Sequence, residues 1–186
     1  MDDSSASELP ICLRRKLLLA TPSLGQGIFE RSVILLSEHD PDEGAVGIIL
    51  NHPTDAKLGD LVSDPALSEL QDLPVHRGGP LSTDQLGFTA FSWKKNKMDL
   101  KSGITAKTAV DLLKRGDCVV RATVGYSAWS PGQLESEILA KAWFTSKPTA
   151  DLISLPHDLS LWKNLLRQIS PYHHLLSYSP RNPLLN

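Results

Sequence analysis

The chain has 186 residues, of which 41% are hydrophobic and 22% charged, so it can bury a sizeable core without disulfides or metal. Its formal net charge of −2 provides no bulk attraction to nucleic acid or to anionic membranes. The longest apolar runs are only as long as core strands, well short of the roughly 20 residues of a membrane span. Residues 1–5 are acidic and polar rather than basic and apolar, which favours a cytoplasmic location over secretion.

Taken in chain order, the sequence begins with a Ser- and Asp-rich segment, residues 1–10, that we predict to be disordered. Apolar and β-branched runs predict about six strands, over residues 11–19, 32–37, 45–50, 73–76, 87–91 and 118–124. Helical spacing predicts helices at 58–62, from Asp64 onward, and over 105–115, 131–142 and 158–169. We predict an irregular C-terminal tail over 171–186.

Several of these elements carry their own boundary signals. The strands 32–37 and 45–50 flank a polar turn, which predicts a hairpin with a wide loop or a bulge. The helix 105–115 has a threonine at its start and Gly116 just past its end, which suits a C-terminal cap. Because strands and helices neither alternate strictly nor segregate, we predict a single α+β domain over 11–170 with a mixed, mainly antiparallel sheet.

The segment 125–134, with the sequence GYSAWSPGQL, has both a structural and a functional interpretation. Ser130 and Gln133 have the spacing of a capping box, with Pro131 as the first helical residue. A helix N-terminus flanked by Tyr126 and Trp129 could instead receive an anion or stack a planar ligand. The capping interpretation is favoured because the cap already occupies some of the free N–H groups.

Other motifs that carry chemistry fail on residue type or on context. The run Gly125-Tyr126-Ser127 begins like a nucleophile elbow, but Trp129 stands where the second glycine is required. The six histidines have no metal-ligand spacing, and the two cysteines form no CxxC, so both cysteines are predicted to be buried and reduced. The residues Gly78-Gly79-Pro80 could form an amide concavity, although a tight turn is the simpler explanation. We therefore predict no metal and no cofactor.

Several segments, in order and at matching spacing over about 17–165, resemble the YqgE/AlgH family of bacterial proteins. The resemblance is carried by LLATPSL (18–24), FERSVI (29–34), GAVGIILNHP (44–53), GGP (78–80), GY (125–126) and WSPGQLE (129–135). This chain departs from the family pattern GYAGWGPGQL at Ser127, Ala128 and Ser130, so a family pocket built on those glycines would be altered.

The resemblance implies an α+β fold with a bifurcated sheet that closes partly into a small barrel, surrounded by helices. It implies no established activity and no set of catalytic residues, although some members carry the label of transcriptional regulator. Its recurrent positions form our candidate ligand-binding site: Arg31, Asn51, Gly78, Gly79, Tyr126, Trp129 and Gln133.

Two functions follow as hypotheses. The first is a non-enzymatic regulatory or interaction protein with an unidentified protein or small-molecule partner. The near-neutral charge argues against direct nucleic-acid binding by such a protein. The second is an enzyme that binds a small molecule or anion, with a site formed by the Gly78-Gly79 turn and the Tyr126–Gln133 corner. This second hypothesis requires the two loops to face one concave pocket.

Overall fold

The computed structural model describes residues 12–25 and 27–180, so the predicted disorder of 1–10 lies outside the described residues. The strands are β1 (Leu17–Ala20), β2 (Val33–Asp40), β3 (Gly44–Ile49), β4 (Pro53–Lys57), β5 (Pro74–Arg77), β6 (Leu81–Lys94), β7 (Lys97–Lys101), β8 (Val119–Trp129) and β9 (Trp143–Ser146). The α-helices are α1 (Leu58–Leu61), α2 (Ala106–Arg115), α3 (Gln133–Leu139), α4 (Asp151–Ser154), α5 (Ser160–Ile169) and α6 (Pro171–Leu176). Short 3₁₀ helices form at Pro22–Leu24 and Pro65–Leu70.

The sheet divides at β8. Up to Val124 this strand pairs in parallel with β5, whereas residues 127–129 pair antiparallel with β3. On its other side it pairs antiparallel with β6, as far as Tyr126 opposite Leu81. Beyond β3 the order continues through β2 and β1 to β9. The change from β5 to β3 follows Gly125, whose φ of 73° is easily reached only by glycine. The result is a mixed, mainly antiparallel sheet curled into a half-barrel with helices around it, which confirms the predicted fold class.

Apolar side chains on both faces of the sheet build the core. On one face, helix α5 places Trp162 and Leu166 against β1 and β2, and the Trp162 indole N–H donates to the Ala20 carbonyl at 2.8 Å. On the other face, α2 and the 3₁₀ helix Pro65–Leu70 pack on β5, β6 and β8. Since β8 is covered on both sides, any charged side chain in its middle must be buried.

The predicted hairpin is confirmed. Strands β2 and β3 are antiparallel, and their register shifts between Leu36 and Glu38, as the predicted bulge requires. The predicted caps of α2 are also present, because Thr105 Oγ1 accepts from the Thr108 amide at 3.2 Å and Gly116 adopts a φ of 66°. Asp64 caps the 3₁₀ helix that begins at Pro65, with 2.8 Å from its carboxylate to the Ala66 amide.

Three strands, β4, β7 and β9, were not predicted from the sequence. In strand β7, Met98 and Leu100 alternate with charged residues and pack inward. Each of these strands lies at an edge of the sheet, where charged or proline residues are normal. Strands β4 and β7 are short and largely polar, and β9 has only four residues, so hydrophobic patterning did not indicate them.

Other boundaries also differ from the prediction. Strand β1 begins at Leu17 rather than at residue 11, because a turn with Arg15 at a φ of 63° precedes it. The tail was predicted to be irregular from 171, but Pro171–Leu176 forms helix α6, which Ser170 caps. The prediction of buried cysteines is wrong for Cys12, which is exposed, and Cys118 is only half-buried. Among the described residues, no helix has the length and apolarity needed to span a membrane.

Helix α3 starts later than predicted, at Gln133. Ser130, Pro131, Gly132 and Gln133 form a turn in which the Ser130 carbonyl accepts from the Gln133 amide at 3.0 Å and Gly132 has a φ of 72°. Only half of the capping box is present: the Ser130 N–H donates to Gln133 Oε1 at 3.0 Å, and no serine side-chain cap forms. Pro131 therefore lies in the turn that precedes α3 and is not the first helical residue.

Candidate functional site

Asn51 and Arg31, two of the predicted site residues, stabilise the start of β2. The fully buried Asn51 accepts from the Val33 amide at 2.8 Å and donates to the Arg31 carbonyl at 2.9 Å. The Arg31 guanidinium lies 5.2 Å from the centre of the Trp162 ring and donates to the Ser179 carbonyl. These contacts occupy both side chains in holding strand β2, helix α5 and the C-terminal segment together.

The backbone of the Gly78-Gly79 pair lies against the backbone of Gly125 and Tyr126. An added Cβ would lie 2.2 Å from the Gly125 oxygen at Gly78 and 2.1 Å from Tyr126 backbone atoms at Gly79. This close approach of two backbones explains both glycines without a ligand. The Gly78 amide and carbonyl are also paired, with the Val124 carbonyl and the Ile49 amide, both at 2.9 Å.

Trp129 and Gln133 join a different network, centred on Glu137. The indole N–H groups of Trp129 and Trp143 donate to Glu137 Oε2 at 2.9 and 2.7 Å, and Gln133 Nε2 donates to Oε1 at 3.0 Å. Trp129 is buried whereas Tyr126 is 37% exposed, because they occupy opposite faces of β8. The structure thus brings Gly78, Gly79 and Tyr126 together but separates them from Trp129 and Gln133, and Arg31 with Asn51 forms a third group.

A cluster that the sequence analysis missed lies in the middle of β8. Arg121 is only 9% exposed, and its guanidinium contacts His76 on β5 and His157 in the α4–α5 connection. The register places β5 beside β8 here, with His76 opposite Thr123. His157 stacks on Phe91 of β6, with 5.6 Å between ring centroids and an interplanar angle of 7°.

Both imidazoles contact a backbone carbonyl as well as Arg121. His157 Nε2 lies 2.7 Å from the Leu152 carbonyl oxygen and therefore donates to it, which leaves His157 Nδ1 as the acceptor for Arg121 Nη2. His76 Nε2 lies 3.0 Å from the His157 carbonyl oxygen, and Arg121 Nη1 lies 3.0 Å from the same Nε2 and 3.2 Å from Nδ1. Among the described residues, Arg121 Nε is buried without a hydrogen-bond partner.

The electrostatics of this cluster are unusual. Burial, and then the positive charge of Arg121, lowers the pKa of both His76 and His157 to about 4, so both are neutral at pH 7. Burial alone lowers the pKa of Arg121 to about 10, so the guanidinium remains charged. No salt bridge to Arg121 forms among the described residues, although a buried cation normally has a charged partner.

This cluster borders an open cleft of about 320 Å³ at the surface. Its other lining residues are apolar except for Asp158: Pro53, Pro74, Val119, Ile153 and Leu155. Arg121, the two imidazoles and these walls come from three strands and from the α4–α5 region, so no local motif encodes the cleft. The one sequence signal was an arginine within the otherwise apolar, β-branched run CVVRATV.

The cluster does not resemble a metal site, because both imidazoles contact the positively charged guanidinium of Arg121. More generally, across residues 12–25 and 27–180 no three His, Cys, Asp or Glu side chains are gathered in a way that could hold a metal ion. The cleft therefore offers a cationic hydrogen-bond donor, two neutral imidazoles and apolar walls, a combination suited to binding rather than to metal chemistry.

Comparison with known proteins gives consistent matches along the chain. A family model described as AlgH-like matches residues 17–173. A UPF0301 protein of Streptomyces coelicolor is 32% identical, covering 94% of this chain and 95% of the relative. A UPF0301 protein of Ruegeria pomeroyi is 33% identical, covering 90% and 97% respectively.

Two solved structures are similar in fold. The crystal structure of protein DIP2367 from Corynebacterium diphtheriae superposes with a TM-score of 0.72 at 21% identity, covering 94% of this chain and 96% of that chain. The solution structure of the AlgH protein from Pseudomonas aeruginosa gives a TM-score of 0.62 at 24% identity, covering 97% and 99% respectively. At these identities the likeness concerns the fold alone.

Proposed function

We propose that this chain, which belongs to the AlgH-like family, is a non-enzymatic regulatory protein that binds a small anion, and the proposal rests on the chain's own geometry. The observation that carries the proposal is the buried Arg121 guanidinium, which contacts two neutral imidazoles and, among the described residues, forms no ion pair with a carboxylate. An anion in the cleft would supply the missing negative charge.

Two physical arguments favour an anion over a merely structural arginine. A buried, uncompensated cation destabilises the fold, whereas apolar residues of similar size at this position would avoid that cost. Hydrogen bonds from a guanidinium to an anion are about twice as strong as neutral ones, and they gain strength where water is excluded. The same arrangement that destabilises the empty protein would therefore strengthen binding.

The regulatory part of the proposal rests on His157. This residue links the cluster to the α4–α5 connection, because its ring bonds Arg121 and the Leu152 carbonyl while its own carbonyl accepts from His76. An anion that competes for the Arg121 N–H groups would shift this connection, which carries the exposed Leu159 at its end. A partner protein that contacts Leu159 could then sense whether the cleft is occupied.

The test is a thermal-shift and calorimetric screen of small anions at pH 8, with acetate, chloride, phosphate and a nucleotide, against the wild type and Arg121→Gln. We expect at least one anion to raise the Tm of the wild type but not of the variant. Arg77→Gln is the matched control, because Arg77 neighbours His76 on β5 but is exposed and lines a different cleft. Equal shifts in the wild type and Arg121→Gln, or none with any anion, would refute the proposal.

Direct contact with DNA is not part of this proposal, because the chain has a net charge of −2. Tight binding of a generic DNA duplex that weakens steeply with salt would contradict this exclusion. The enzymatic alternative at the Gly78-Gly79 turn and the Tyr126–Gln133 corner stays a prediction from the sequence.

A further inference from the structure

We infer that the ligand of the Arg121 cleft is a monocarboxylate with an apolar aliphatic tail. The inference rests on the proposed anion-binding function and assigns its ligand class. Three features of the cleft support the inference independently of one another. They are the composition of its walls, the number of its positive charges and the place of its carboxylate.

The walls determine the chemistry of the tail. Five of the cleft residues are apolar, and three of these, Val119, Ile153 and Leu155, also pack against the core cluster around Trp162. The two others are the prolines Pro53 and Pro74, which offer rigid apolar surface and no backbone N–H. An inorganic anion would leave this surface in contact with water, whereas an aliphatic chain would cover it.

The number of charges determines the head group. Among the described residues that line the cleft, Arg121 is the one lysine or arginine, and both imidazoles are neutral at pH 7. The Nη1 group of Arg121 contacts His76 and its Nη2 group contacts His157. Each of these groups carries two N–H donors, so one on each remains for the two oxygens of one carboxylate. A single guanidinium balances one negative charge, not the two of a phosphate monoester.

The carboxylate of Asp158 opposes a second negative charge. It lines the same cleft and is held in place by Ser160, whose N–H and hydroxyl donate to Oδ1 at 2.8 and 2.6 Å. Hydrogen bonds from Ser160 lower the pKa of Asp158, so this group is ionised at neutral pH. The negative charge of Asp158 would therefore repel a dianion more strongly than a monoanion.

Isothermal titration calorimetry at pH 8 tests the assignment with sodium acetate, sodium hexanoate, hexyl phosphate and 1-hexanol. We expect hexanoate to bind at least ~10-fold more tightly than acetate, because each buried methylene adds a factor of roughly 4 when fully covered. Hexanoate should also bind more tightly than hexyl phosphate, which is a dianion at this pH, and hexanol should show no binding.

Three variants locate the effect. Arg121→Gln should lose hexanoate binding, and Leu155→Asp should weaken it by placing a charge in the apolar wall while leaving Arg121 intact. Asp158→Asn retains a side-chain oxygen for the Ser160 cap but removes the charge, so it should narrow the preference for hexanoate over hexyl phosphate. Circular dichroism of each variant separates loss of binding from loss of folding.

The outcomes distinguish this inference from the function on which it rests. The proposed ligand class is wrong if hexanoate binds the wild type no more tightly than acetate does. It is also wrong if hexyl phosphate binds the wild type as tightly as hexanoate does. If acetate or phosphate still binds in an Arg121-dependent manner, the anion-binding function stands. If no anion of either class binds in an Arg121-dependent manner, the ligand class and the anion-binding function are both refuted.

Discussion

The buried imidazoles give the sharpest prediction, namely a loss of stability in mild acid. The pKa of His157 is about 4 in the folded protein, against an ordinary value of 6.5. Between these two values the unfolded chain binds more protons than the folded one, so stability is full above about pH 6.5 and decreases as the pH falls toward 4. Linkage over this window gives a loss of about 2 kcal/mol from pH 7 to pH 4.5 for one imidazole.

The substitution His157→Asn isolates this contribution. Asparagine keeps an acceptor near Arg121 but does not titrate, so the difference in unfolding free energy between pH 7 and 4.5 should shrink by about 2 kcal/mol. Urea unfolding followed by tryptophan fluorescence at pH 7, 6, 5 and 4.5 measures that difference. The control is His174→Asn, because His174 is exposed and lies outside the cluster. A pH dependence in His157→Asn that matches the wild type would refute the buried, neutral imidazole.

Three further substitutions test the networks of the predicted site residues. Asn51→Ala should lower the free energy of unfolding by about 3 kcal/mol, because the Val33 amide and the Arg31 carbonyl both lose their buried partner. Gly79→Ala should lower it by more than ~3 kcal/mol or prevent folding, since its Cβ would lie 2.1 Å from Tyr126 backbone atoms. Glu137→Ala should cost about 2 kcal/mol and alter tryptophan emission, because two indole N–H groups lose their acceptor.

Each of these measurements has a control. Gly87→Ala should be tolerated, because the nearest atom to its Cβ would be 3.8 Å away and no positive φ strains it. Ser130→Ala should leave stability nearly unchanged, since the Ser130 hydroxyl makes no cap bond. Equal unfolding free energies for Gly79→Ala and Gly87→Ala would contradict the backbone contact at Gly79. An unaltered emission spectrum in Glu137→Ala would contradict the shared carboxylate.

Parts of the candidate site could be predicted from the sequence, and the rest could not. The family pattern grouped Gly78, Gly79 and Tyr126 in one candidate site, and their backbones do lie in contact. The sequence explained the glycine pair as a tight turn, however, whereas neither glycine has a positive φ and the close backbone approach accounts for both. It gave no way to separate Trp129 from Tyr126, since the face that each presents depends on which partners β8 takes on each side. The Arg121 cluster could not be predicted, because Arg121 lies 45 residues along the chain from His76 and 36 residues from His157.

The sequence by itself determined the locally encoded features: the β2–β3 hairpin, the caps of α2 and the 3₁₀ helix that begins at Pro65. Each depends on residues within a few positions of one another, where hydrophobic spacing and capping side chains act directly. Only the tertiary structure decided the edge strands β4, β7 and β9 and the cleft around Arg121. There the partners come from distant segments, and it is their burial that makes an arginine and two histidines one electrostatic unit.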